Sequence, residues 1–102
     1  MVKFGPETHQ RVHELCVQIG VARLELTGSA ARGDFDPAKS DIDLIVEFLP
    51  DARVSALTFV EFCDALEAVF GRRVDLIEIS AVKNSILREA FVRDRVPFYA
   101  AA

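Results

Sequence analysis

Hydrophobic residues recur along this chain with two different periods, and the switches between them mark its elements. Over residues 7–19, Val12, Leu15, Cys16 and Ile19 share one helical face, with Pro6 suited to the start and Gly20 to the stop. Residues 23–27 alternate, with Leu24 and Leu26 on one side, and predict a strand. Residues 28–37 are rich in small and turn residues. A second strand is expected over residues 41–49, apolar on one side through Ile42, Leu44, Val46 and Phe48 and ended by Pro50-Asp51. Helical spacing returns over residues 55–70 with Phe59, Phe62, Cys63, Leu66 and Phe70, and Gly71 closes it. A third strand over residues 73–79 leads to a last helix over residues 82–93, with Ile86, Leu87 and Ala90 expected inward. Residues 96–99 could form a short terminal strand, which Pro97 would confine to an edge or end. The order predicts an α/β (α+β) fold, a small mixed sheet with helices on one face and the other face free for a site.

Length and composition narrow this picture. The chain has 102 residues, 51% of them hydrophobic, which fits a single domain over residues 1–102 with a real core. A domain this small buries a modest share of its surface and sits near the stability limit. Its net charge of −4 argues against a nucleic-acid partner, since no basic surplus exists to release counterions from phosphates. The same balance leaves few cations to offset a bound triphosphate, so metal ions would have to supply that charge. Cys16 and Cys63 lie far apart inside apolar-periodic segments and are expected as reduced core thiols. The N-terminus turns polar at once and no apolar run is long enough to span a bilayer, so a cytoplasmic protein without a membrane partner is expected.

The candidate chemistry lies where the strands meet the turns. After the first strand come Gly28 and Ser29, where a glycine lets backbone amides approach a phosphate and a hydroxyl adds a donor. Arg32 could pair with a phosphate as a planar fork. Taken alone, such a run is equally compatible with a plain turn. Ser40-Asp41-Ile42-Asp43 then opens the second strand. Strand alternation puts Asp41 and Asp43 on one side, and the apolar side through Ile42, Leu44 and Val46 fixes the register. Two carboxylates this close repel unless a cation or water neutralises them, and hard oxygen ligands suit Mg²⁺. Asp75 stands near the start of the third strand, where aspartate is disfavoured, and could join the pair if that strand lies beside the second. Three such acids would permit a site with two metal ions.

The runs LTGSAARG and SDIDLIVEF, followed by VDLIE, resemble the minimal nucleotidyltransferase family within the DNA-polymerase-beta-like superfamily. The match covers residues 24–78, and the flanking helices fit the family's order. The resemblance implies a nucleotidyltransferase-like fold and a nucleotide triphosphate at Gly28 and Ser29, with Arg32 and Ser40 also expected at the nucleotide. It implies metal ligation and catalysis by Asp41, Asp43 and Asp75, with two Mg²⁺ ions, and transfer of AMP from ATP to an acceptor hydroxyl. The acceptor it implies is a partner protein, a HEPN-domain toxin, with this chain as its antitoxin. Two positions depart from the pattern: Thr27 stands where an aromatic residue is frequent, and Ala30 where arginine is frequent. Two rivals stay open. One is a non-catalytic antitoxin that silences its partner by docking. The other is a small-molecule nucleotidyltransferase, which would be expected to carry an added substrate domain. A homo-oligomer also stays open.

Other features carry less. His9 and His13 share a helix face, but HQRVH lacks the glutamate of the zinc-protease signature, and both are expected solvated. Arg72-Arg73 reads as a solvated helix end, and Lys39 could reach a nucleotide. The phenylalanines at helical spacing are expected in the core.

Overall fold

The computed structural model describes residues 4–32 and 41–101. Helix α1 runs Pro6–Ile19, its proline filling a first-turn position that needs no N–H donor. Gly20 ends it in the left-handed conformation, and its N–H donates to the Cys16 carbonyl at 3.0 Å. Strand β1 (Val21–Thr27) follows directly and leads into the short helix α2 (Gly28–Arg32). Strand β2 spans Ile42–Phe48. Helix α3 (Ala56–Phe70) starts at Ser55, whose hydroxyl oxygen accepts from the Thr58 N–H at 3.1 Å. Strand β3 (Val74–Glu78) passes through one 3₁₀ turn to helix α4 (Ser85–Arg93) and strand β4 (Val96–Ala100).

The four strands form one mixed sheet in the order β3-β2-β1-β4. Strand β1 is antiparallel to β2 and to β4, while β2 and β3 are parallel, joined through α3. One face carries Leu24 and Leu26 of β1, Ile42, Leu44 and Val46 of β2, and Val74 of β3. These residues are buried together with Val12 and Cys16 of α1 and Phe62 and Leu66 of α3. Two helices thus close one core layer against the sheet. Strand β4 is an edge strand, which tolerates Pro97 as expected, and its Phe98 ring meets Phe4 and Phe70 at 5.8 Å from each. Cys16 is a buried free thiol, and Cys63 is a half-buried one whose Sγ lies 3.5 Å from the Val74 carbonyl.

Helix α4 departs from the sequence expectation. Ile86, Leu87 and Ala90 do not point inward: Ile86 is 79% and Leu87 48% exposed, Ala90 is exposed too, and α4 has no fully buried residue. Phe91 and Val92 are the half-buried pair instead. The helix also begins later than residue 82, because Asn84 caps it by accepting from the Leu87 N–H at 3.0 Å. The physical reason lies in placement. With α1 and α3 filling the core layer, α4 reaches the opposite side of the sheet. There the Thr27 hydroxyl donates to the Phe91 carbonyl, and Arg95 pairs with Glu25 at 3.7 Å.

Candidate active site

Alternation along three neighbouring strands builds the site. Leu26 and Leu44 face the core, so Thr27 and Asp43, one residue before or after them, face the other way. The register pairs Thr27 with Asp43 across β1 and β2, and Asp43 with Asp75 across β2 and β3. One row of the sheet therefore presents a buried threonine and two carboxyl groups. The row behind it, Glu25, Ile45 and Ile77, includes an isoleucine only 2% exposed, so this face is partly covered rather than fully open.

Asp43 and Asp75 lie on neighbouring positions of adjacent strands, close enough to act on each other's charge. Burial pushes the Asp43 carboxyl above its ordinary range, the neighbouring Asp75 and then the charge of Asp41 push it further, and Arg32 pulls back. Both other predicted acids thus act electrically on Asp43. Asp41 lies just before β2 and does not itself line the cleft described below. Among the described residues, no three of His, Cys, Asp and Glu cluster closely enough to form a metal cage by themselves. Two adjoining carboxyl groups that repel each other when ionised nevertheless fit Mg²⁺, which takes one or two carboxylates and draws further oxygens from phosphates and water.

Gly28 stands against this acid row with φ +63°. A Cβ placed on it would collide with the Asp43 carboxylate, whose Cγ would lie 3.3 Å away. Gly28, Ser29, Arg32, Asp43 and Asp75 form the polar lining of a cleft of about 570 Å³. Leu76, Ile77, Ala90 and Phe91 form much of its apolar lining. Arg32 also pairs with Asp94, at 3.8 Å. Ser40 and Lys39 lie outside the described residues, as does the rest of the segment 33–40.

Sequence reasoning missed Thr27 as a wall of the cleft, although the β1–β2 register alone would have placed it beside Asp43. Ala90 and Phe91 had no sequence signal, since only the path of α4 brings them to the acids. His9 and His13 are exposed, as expected, but each meets an aromatic ring of β4. His9 stacks on Phe98 at 4.3 Å, and His13 meets Tyr99 edge-on at 5.1 Å. No helix among the described residues is long and apolar enough to cross a membrane.

A mixed sheet carrying a Gly-Ser turn at one strand end, opposite carboxylates on the next two strands, defines the class of nucleotidyl-transfer folds. The nucleotidyltransferase domain model matches residues 10–98, and the chain belongs to that family. The protein adenylyltransferase MntA of Thermococcus cleftensis is 37% identical over 75 residues, covering 74% of this chain and 73% of that one. A solved structure assigned as a minimal nucleotidyltransferase superposes with a TM-score of 0.73 at 32% identity, over 89% of each chain. The fold also matches, with a TM-score of 0.66 at 15% identity, the structure of a tri-AMPylated Shewanella oneidensis HEPN toxin in complex with its MNT antitoxin. That likeness covers 93% of this chain and 71% of that one and concerns the fold alone.

Proposed function

We propose that this nucleotidyltransferase moves AMP from ATP onto a hydroxyl of a partner protein, a HEPN-domain toxin, and so serves as its antitoxin in the cytoplasm. The observation that carries this reading is the register-matched pair Asp43 and Asp75, set against Gly28 and Ser29 in one cleft. The 37% identity to a protein adenylyltransferase supports the choice of AMP as the group moved. The tri-AMPylated HEPN toxin held by a fold relative supports the class of acceptor.

In the proposed reaction the acceptor oxygen attacks the α-phosphorus in line, a new O–P bond forms, and the bond to the leaving pyrophosphate breaks. Asp75, the more exposed of the pair, receives the acceptor proton. Asp43 and Asp75, side by side in the sheet, would hold Mg²⁺ together with phosphate and water oxygens, and Asp41 would join them from the strand start once the nucleotide is bound; the ion would neutralise phosphate charge and lower the cost of the attack. Gly28 leaves room for the triphosphate near the strand end, Ser29 donates a hydrogen bond to it, and Arg32 turns its fork toward it. Ser40 is proposed to join them from the preceding segment. Most of the acceleration would come from positioning and from charge compensation.

The test incubates the protein with labelled ATP, Mg²⁺ and the HEPN-type product of the adjoining gene. Label should move to the partner, and D41A/D43A should lower the rate by at least about 10²-fold. Equal transfer by the double variant would remove the acids from the chemistry. Full neutralisation of the toxin by that variant without label transfer would mean that docking alone silences it.

A further inference from the structure

Helix α4 supplies Ala90 and Phe91 to the cleft, yet none of its side chains is fully buried. Its apolar packing rests on the half-buried Phe91 and Val92, so polar links have a larger share in holding it than they do in α1 or α3. Three polar links reach its C-terminal end: Thr27 to the Phe91 carbonyl, Arg32 to Asp94, and Arg95 to Glu25. Both ion pairs are long, at 3.8 and 3.7 Å, and each has an arginine about half exposed, so water screens them. The threonine link is different. Thr27 is 3% exposed and rooted in a central strand, and its hydroxyl donates to one of the last four carbonyls of α4, which have no partner within the helix. With that bond made, no buried side-chain oxygen or nitrogen among the described residues lacks a partner.

We propose that Thr27 is a positioning residue: its hydroxyl fixes α4 against the sheet, so that Ala90 and Phe91 form a wall of the nucleotide cleft. Thr27 touches no reacting atom and acts through α4. The proposal rests on the reading of the cleft as the ATP site.

The experiment compares Thr27→Val, which keeps the shape and removes the hydroxyl, with Thr27→Ser, which keeps the hydroxyl. KM for ATP is read separately from kcat in the transfer assay, and amide hydrogen exchange is read over residues 85–93. In Thr27→Val, KM should rise at least about threefold with kcat within about twofold, as expected when binding is loosened and the chemical step is left intact. Exchange in α4 should quicken, and Thr27→Ser should behave as the unaltered protein. Should Thr27→Val not fold, Thr27→Ala takes its place against Thr27→Ser. An unchanged KM with only a lower melting temperature would reduce Thr27 to a structural residue and overturn the proposal. Unchanged exchange in α4, or a Thr27→Ser protein as impaired as Thr27→Val, would overturn it equally. If the unaltered protein transfers no label, the functional reading fails, while the exchange comparison still decides whether Thr27 holds α4.

Discussion

Gly28 carries two constraints at once. Its backbone is left-handed, and the Asp43 carboxylate occupies the space where a side chain would begin. Alanine there should cost about 1–2 kcal/mol from backbone strain alone, before the displacement of Asp43 is counted. Urea unfolding of Gly28→Ala measures that loss, and the transfer assay should show a fall of at least about tenfold because the acid row is disturbed. A variant with unimpaired transfer would mean that the close approach has no bearing on the chemistry. Thr27 makes the neighbouring point. In the sequence it is only a departure from the family pattern, and in the fold it becomes the anchor of a helix.

The elements differ in how firmly their periodicity predicts their burial. In α3 the apolar stripe buries Phe62 and Leu66 fully and Phe59, Cys63 and Phe70 in part, because the helix lies along the core face of the sheet. In α4 a similar spacing leads nowhere, because the core layer already holds two helices and α4 meets the sheet mainly through its last turn. The contrast is measurable by chemical unfolding. Leu66→Ala should cost about 2–5 kcal/mol, the usual range for a fully buried leucine. Ile86→Ala should stay within about 0.5 kcal/mol of the unaltered protein, as surface substitutions do. A large loss at Ile86 would show that α4 packs differently from the arrangement described.

At the scale of the whole molecule, one core serves the entire sheet, and Cys16 reports on its opening. Burial pushes the Cys16 thiol up to about 12 from an ordinary value of 9.0. The thiol therefore stays neutral in the native state at a pH where the unfolded chain would ionise it. A group whose folded pKa is raised contributes stability that is full below its unfolded value and is lost as pH rises toward the folded one. The loss begins near pH 9 and should reach on the order of 2–3 kcal/mol near pH 11. The difference in unfolding free energy between the unaltered protein and Cys16→Ala should therefore shrink from about pH 8 to about pH 11. A constant difference would mean that Cys16 is not sealed from solvent.

Much of this molecule is local in origin. Period-two and helical spacing, with Pro6, Gly20, Ser55 and Gly71 as punctuation, set the order of elements, since these depend on each residue's own backbone preferences and near neighbours. The same logic predicted Asp41 and Asp43 on one side of a strand, because alternation is a property of a single strand, and in the fold that strand keeps Asp43 and begins just after Asp41. Asp75 could be named from the sequence, but not joined to Asp43. That needed β3 to pair beside β2, a contact between residues 32 positions apart that no local pattern encodes. The burial of Thr27, the arrival of Ala90 and Phe91 at the cleft and the exposure of Ile86 all follow from where α4 settles. The identity of the acids was written in the chain, whereas their company was decided by the packing of strands and helices that only the folded molecule brings together.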